Sequence, residues 1–225
     1  MKGGEALVAE ALPNVAFDLA SHKSIKILSI GASAAAGRRS TRGGYTRLIE
    51  QILERAVKGI DVTVINRGVS GELAANAASR IKTEVAFTHP DLVLWQVGTN
   101  DALAYVPLSQ ISASVEDTVR WLRRHKVDVI LVGLQYVEGM TTNPHYLAVR
   151  DELRRIAGRE NVIIVRRDEA MRLINQAKNE GGVPLPDEFE QNETGYTCLA
   201  QYVVRAITLG VFGSGLRRDP PPPLQ

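Results

Sequence analysis

The chain has 225 residues, 44% of them hydrophobic and 23% charged, so one domain can bury a sizeable core and neither disorder nor coiled coil describes it. A net charge of +2 with dispersed basic residues gives no electrostatic case for nucleic acid, and no apolar run reaches membrane-spanning length. The single cysteine, Cys198, excludes an internal disulfide and a multi-cysteine zinc site, and its helical spacing among apolar residues marks a buried structural thiol.

Residues 5–20 carry apolar positions at helical spacing, interrupted at Pro13, and predict a short helix or arm within residues 1–24. No charged leader followed by an apolar block is seen, so no export signal is expected. The cytoplasm is the default compartment, or the periplasm or exterior for a trimmed mature form. The stretch from Ile25 to Gly37, IKILSIGASAAAG, then organises the rest of the chain. Its apolar, β-branched first half predicts a buried strand, and its second half becomes small residues around Ser33. Gly31 permits the bend, and Ala32, Ala34, Ala35 and Ala36 leave room about the Ser33 hydroxyl, which serves either as a nucleophile or as a helix cap.

Tyr45, Leu48, Ile49, Ile52 and Leu53 form a helical apolar stripe, and Asp61 to Asn66 reads as the second strand. A polar turn through Arg67, Gly68 and Gly71 leads to an alanine-rich helix over Glu72 to Glu84. Asp91 to Gly98 is a third strand, apolar enough for burial on both faces, and Thr99-Asn100-Asp101 follows. Then come a helix over Ser109 to His125, a strand over Val127 to Leu134 and a helix over His145 to Gly158. A short strand over Asn161 to Val165, a helix over Glu169 to Asn179 and a last helix over Glu193 to Leu209 complete the pattern. The tail, residues 211–225, reads as a Gly- and Pro-rich linker.

Five strands alternating with helices predict a three-layer α/β/α domain over residues 25–210, with a five-stranded parallel sheet and right-handed crossovers. In such a sheet every turn that follows a strand lies on one edge, so Ser33, Gly68 and Asn100 converge. Ser33 can attack a carbonyl, while its own N–H, that of Gly68 and the Asn100 amide can face the resulting oxyanion. Gly-rich phosphate-binding fingerprints are absent, and no cofactor or metal is called for.

This set of residues resembles the SGNH hydrolases, or GDSL-type esterases, over about Ile25 to Ile207. The resemblance rests on Gly31-Ala32-Ser33, on Gly68 in NRGVSGE, on Gly98-Thr99-Asn100-Asp101 and on a late block from Asp187 to Glu190 followed by Asn192 to Tyr196. It implies a flavodoxin-like fold, Ser33 as nucleophile, Gly68 and Asn100 in the oxyanion hole, and Asp187 and Glu190 at the positions of the base. The substrate implied is a small-molecule or carbohydrate ester.

Two positions depart from the family pattern. Ala32 replaces an aspartate, and Glu190 replaces the catalytic histidine. Imidazole, with a pKa of about 6.5, can take a proton and return it, whereas a glutamate of about 4.3 is a weak base with no proton to give once ionised. Removing such a base costs on the order of 10⁴ to 10⁶ in turnover. Either the chain is a weakened esterase or it is an inactive relative that binds a carbohydrate or acylated ligand. Glu190 is then an exposed acid near a helix start, or a group whose pKa rises beside Asp187 and Asp101, or part of a cation site. His22, His89 and His125 precede strands and belong to the opposite edge; His145 alone follows a strand and is the candidate substitute base.

Overall fold

The computed structural model describes residues 12–31, 44–172 and 193–212. Five strands, β1 (Ser24–Gly31), β2 (Asp61–Gly68), β3 (Leu92–Gln96), β4 (Asp128–Val132) and β5 (Ile163–Val165), form one parallel sheet in the order β2-β1-β3-β4-β5. This is the flavodoxin-like order of a doubly wound sheet. Strands β3 and β4 are buried at every position, which is why their sequences read as apolar runs rather than as alternations.

The two sides of the sheet carry separate cores. On one lie α1 (Pro13–Ser21), α2 (Gly44–Ala56) and α7 (Glu193–Phe212), with Tyr45, Ile49, Leu199 and Val203 packed on Ile27, Leu94 and Ile130. The other is covered by α3 (Ala74–Thr88), α4 (Thr99–Leu103), α5 (Leu108–Arg124) and α6 (Pro144–Arg159), with Ile81, Val119 and Leu153 against Leu28, Trp95 and Leu131. Alternation along β3 sends Leu92 and Leu94 to the first core and Val93 and Trp95 to the second.

Pro13, expected to interrupt a helix, instead opens α1, where its missing N–H is no loss. Leu12, at the cap position, has no side-chain acceptor, and Asp128 at the start of β4 supplies one across space. Its Oδ2 accepts from the Val15 N–H at 2.9 Å and its Oδ1 from Asn14 Nδ2 at 2.7 Å. Among the described residues no helix is long and apolar enough to cross a membrane. Cys198 is free and half-buried in α7, more open than its spacing suggested, because this helix turns one flank to solvent, as Tyr202 shows. Helical residues follow β5 at 167–172, earlier than expected; the rest of that predicted helix and the tail lie outside the described residues.

Candidate active site

Strand β1 ends at Gly31, whose φ of +114° an L side chain rarely adopts. A Cβ there would stand 2.1 Å from the Gln96 carbonyl oxygen, so glycine is what lets β1 leave the sheet against β3. Ser33, Ala32, Asp187 and Glu190 themselves lie outside the described residues.

Gly68 was expected in a turn and proves to be the last residue of β2, directly opposite Gly31. Strand pairing extends two residues past Asn66, and the Asn66 side chain folds back so that its Oδ1 accepts from the Gly68 N–H at 3.0 Å. The N–H expected to face an oxyanion is thus already donating. Next to it, the Val69 N–H donates to the Gly31 carbonyl at 2.8 Å and closes the two strand ends together.

Asn100 sits in the five-residue helix α4, immediately after Gly98, whose φ is +102° and whose added Cβ would press on Leu153 and Leu134. Its Nδ2 donates to the Glu72 carbonyl at 2.9 Å, which ties the block after β3 to the loop after β2. A primary amide has two N–H groups, and one is spent here. The structure therefore brings Gly31, Gly68 and Asn100 to one edge.

Asp101 makes a second tie between the same elements. Only 2% exposed, it accepts from the Ala74 N–H at 2.9 Å at the start of α3, where Leu73 offers no side-chain cap. Burial raises its pKa, while the Ala74, Asp101 and Gly98 backbone N–H groups pull it back. Its carboxyl group is committed to a helix terminus rather than to a carboxylate cluster. Among the described residues no group of three His, Cys, Asp or Glu side chains is placed to hold a metal ion.

His22 and His89 line a cleft at the amino edge of the sheet with Asp18, Asp61 and Asp91, and His125 stacks on Trp121 at the end of α5. All three lie away from the carboxyl edge, in keeping with their positions before strands. His145 stands in the first turn of α6 at the carboxyl edge, its ring stacked on Tyr105 with centroids 5.2 Å apart. Its Nε2 is buried without a partner among the described residues. Helix α6 covers the face of the sheet opposite to α2, which works against His145 serving a hydroxyl on the chain leading into α2.

The sequence reading did not single out the polar floor on the α2 side. Ser29 and Tyr45 share a buried hydrogen bond of 3.0 Å; burial raises the Tyr45 pKa, with Ser29 and the nearby Arg167 charge opposing. Gln96, the last residue of β3, is 5% exposed, and neither its Oε1 nor its Nε2 has a partner among the described residues. The available signal was one amide closing the run DLVLWQ.

Residues 5–212 match the non-GDSL lipase-like family. The chain is 30% identical over 118 residues to an arylesterase of Vibrio mimicus, and 28% identical over 116 residues to esterase TesA of Pseudomonas aeruginosa. Each match covers 52% of this chain, and 58% and 56% of those proteins, so the chain spans little more than half the length of the curated relatives it matches. Among solved structures, the acetyl xylan esterase AlAXEase superposes with a TM-score of 0.68 at 17% identity, covering 81% of this chain and all of that one. A catalytic mutant of Axe2, an acetylxylan esterase from Geobacillus stearothermophilus, gives 0.62 at 22% identity, covering 81% and 94%. These two likenesses speak for the fold alone. The sheet order and the family match agree: the chain belongs to the non-GDSL lipase-like family of SGNH/GDSL-type hydrolases.

Proposed function

We propose that the chain is a serine esterase acting on a short acyl ester, such as an acetyl ester of a small alcohol or a carbohydrate. Ser33 is the nucleophile, and the backbone N–H groups of Ser33 and Gly68 with the Asn100 amide face the oxyanion. The observation that carries this reading is the meeting of Gly31, Gly68 and Asn100 at one edge of a chain in a lipase-like family. The names of the relatives, an arylesterase and acetylxylan esterases, support a short acyl group. Since the Gly68 N–H is held by Asn66, its part in the oxyanion hole requires a shared hydrogen bond, with Asn100 and the Ser33 N–H contributing more.

Asp187 and Glu190 occupy the base positions, and a carboxylate base sets a low turnover. Hydrolysis of p-nitrophenyl acetate by the native chain, Ser33→Ala and Glu190→His tests the assignment. Ser33→Ala is expected to remove the native rate, and Glu190→His to raise it by about 10² or more, toward what an imidazole base supplies. A native rate untouched by Ser33→Ala would rule the serine out. The second reading, an inactive relative that binds a carbohydrate or acylated ligand, is favoured by Glu190 itself. It predicts a Ser33-dependent rate only in Glu190→His.

A further inference from the structure

The loop that joins β2 to α3 is gripped at both ends by one side chain. Arg80, in the second turn of α3, donates from Nε to Glu72 Oε1 and from Nη2 to Glu72 Oε2, each at 2.8 Å. The same Nη2 donates to the Arg67 carbonyl at 2.7 Å, one residue before Gly68. Glu84, one turn further along α3, accepts from Arg67 Nε at 3.0 Å and lies 3.8 Å from Arg80 Nη1, which backs the grip from the same helix. A guanidinium is a planar, permanently charged fork that meets a carboxylate at both oxygens, so this contact fixes direction as well as proximity.

The arrangement costs more than a surface ion pair. The Glu72 side chain is 5% exposed, against 26% for Arg80, and a carboxylate withdrawn from water to that extent is tolerated only with a partner. What the pair holds in place is the Glu72 backbone carbonyl, which accepts from Asn100 Nδ2 at 2.9 Å. A primary amide is planar and carries two N–H groups, so fixing one of them on an acceptor sets where the other can point. That second N–H of Asn100 is the one available to an oxyanion.

We propose that Arg80 is a positioning residue for the oxyanion site: through Glu72 it clamps the Asn100 amide and so sets the direction of the N–H left for the substrate. The catalytic half of this rests on Asn100 being an oxyanion donor, as in the function proposed above; the clamp on the amide does not.

The experiment compares the native chain with Arg80→Gln, Arg80→Lys, Asn100→Ala and the double variant Arg80→Gln/Asn100→Ala. The clamp is read by NMR from the side-chain amide protons of Asn100, identified by their absence in Asn100→Ala. In Arg80→Gln the hydrogen-bonded proton is expected to move upfield and to exchange with water about tenfold faster. Unchanged resonances overturn the clamp. On p-nitrophenyl acetate, Arg80→Gln is expected to lower kcat about tenfold to a hundredfold while KM stays within about twofold. Arg80→Lys keeps the charge that the buried Glu72 needs, and with it the fold, but not the fork, and should lie between the two. In the Asn100→Ala background, Arg80→Gln should lower kcat by less than about twofold, because its effect runs through that amide. An equal loss in both backgrounds marks general loosening and overturns the positioning role, as does an unaltered kcat in Arg80→Gln. If Asn100→Ala leaves the rate intact, or no rate depends on Ser33, the esterase site proposed above fails and the catalytic half with it, while the Asn100 resonances still decide the clamp.

Discussion

At the scale of single residues, two glycines do what no other side chain could. Gly31 combines a φ of +114° with a Cβ position 2.1 Å from a backbone oxygen that belongs to a paired strand and cannot retreat. Gly31→Ala is therefore expected to destabilise the fold by about 2–4 kcal/mol, measured by urea or guanidinium unfolding. A loss below about 1 kcal/mol, the scale of a strain-free exchange, would mean that β1 and β3 can separate at this end. Gly98 meets apolar side-chain ends, Leu153 and Leu134, which can shift more readily than backbone, so its replacement is resisted chiefly by its φ of +102°. Gln96 shows the opposite limit of what residue type conveys: a buried amide reads as one polar letter in an apolar strand until its neighbours are known.

At the scale of elements, the strands were legible because burial on both faces demands unbroken apolar runs, and the helices because one-sided burial leaves a stripe at helical spacing. Helix α4 escaped notice: five residues span too little of a turn pattern to show periodicity, and its existence follows from Gly98 and from the Asp101 contact with α3. Helix α1 is docked by a contact no local pattern contains, the Asp128 carboxylate 113 residues from Val15. Asp128→Ala should cost about 1–2 kcal/mol, and the loss should concentrate in α1. Amide exchange of the α1 backbone is the measurement; equal protection in the variant would show that apolar packing by Leu12 and Val15 suffices to hold it.

At the scale of the whole molecule, four aspartates, Asp91, Asp101, Asp128 and Asp168, have pKa values raised above the ordinary 3.8, in each case chiefly by burial. A carboxyl group with a raised folded pKa binds its proton more readily in the folded chain than in the unfolded one. Folding then takes up protons between 3.8 and the higher folded value, so this contribution to stability is greatest on the acid side of that window and falls as pH rises through it. Thermal unfolding followed from pH 4 upward should show the slope, and Asp101→Asn should make it shallower. A variant whose Tm falls as steeply as that of the native chain would remove Asp101 from the account.

What the amino-acid order determined by itself is the alternation of strand and helix, the parallel sheet and the edge on which Gly68 and Asn100 had to fall. All three follow from where apolar residues recur, from chain chirality and from connectivity, which are properties of near neighbours along the chain. The tertiary structure alone decided that the Gly68 N–H is engaged by Asn66 and that Asn100 is anchored on Glu72. It decided equally that Asp101 caps a helix from another segment and that His145 stacks on Tyr105 on the side of the sheet away from α2. Each of these is a short-range force, a hydrogen bond or a ring contact, and its direction depends on side chains that meet only once the sheet has closed.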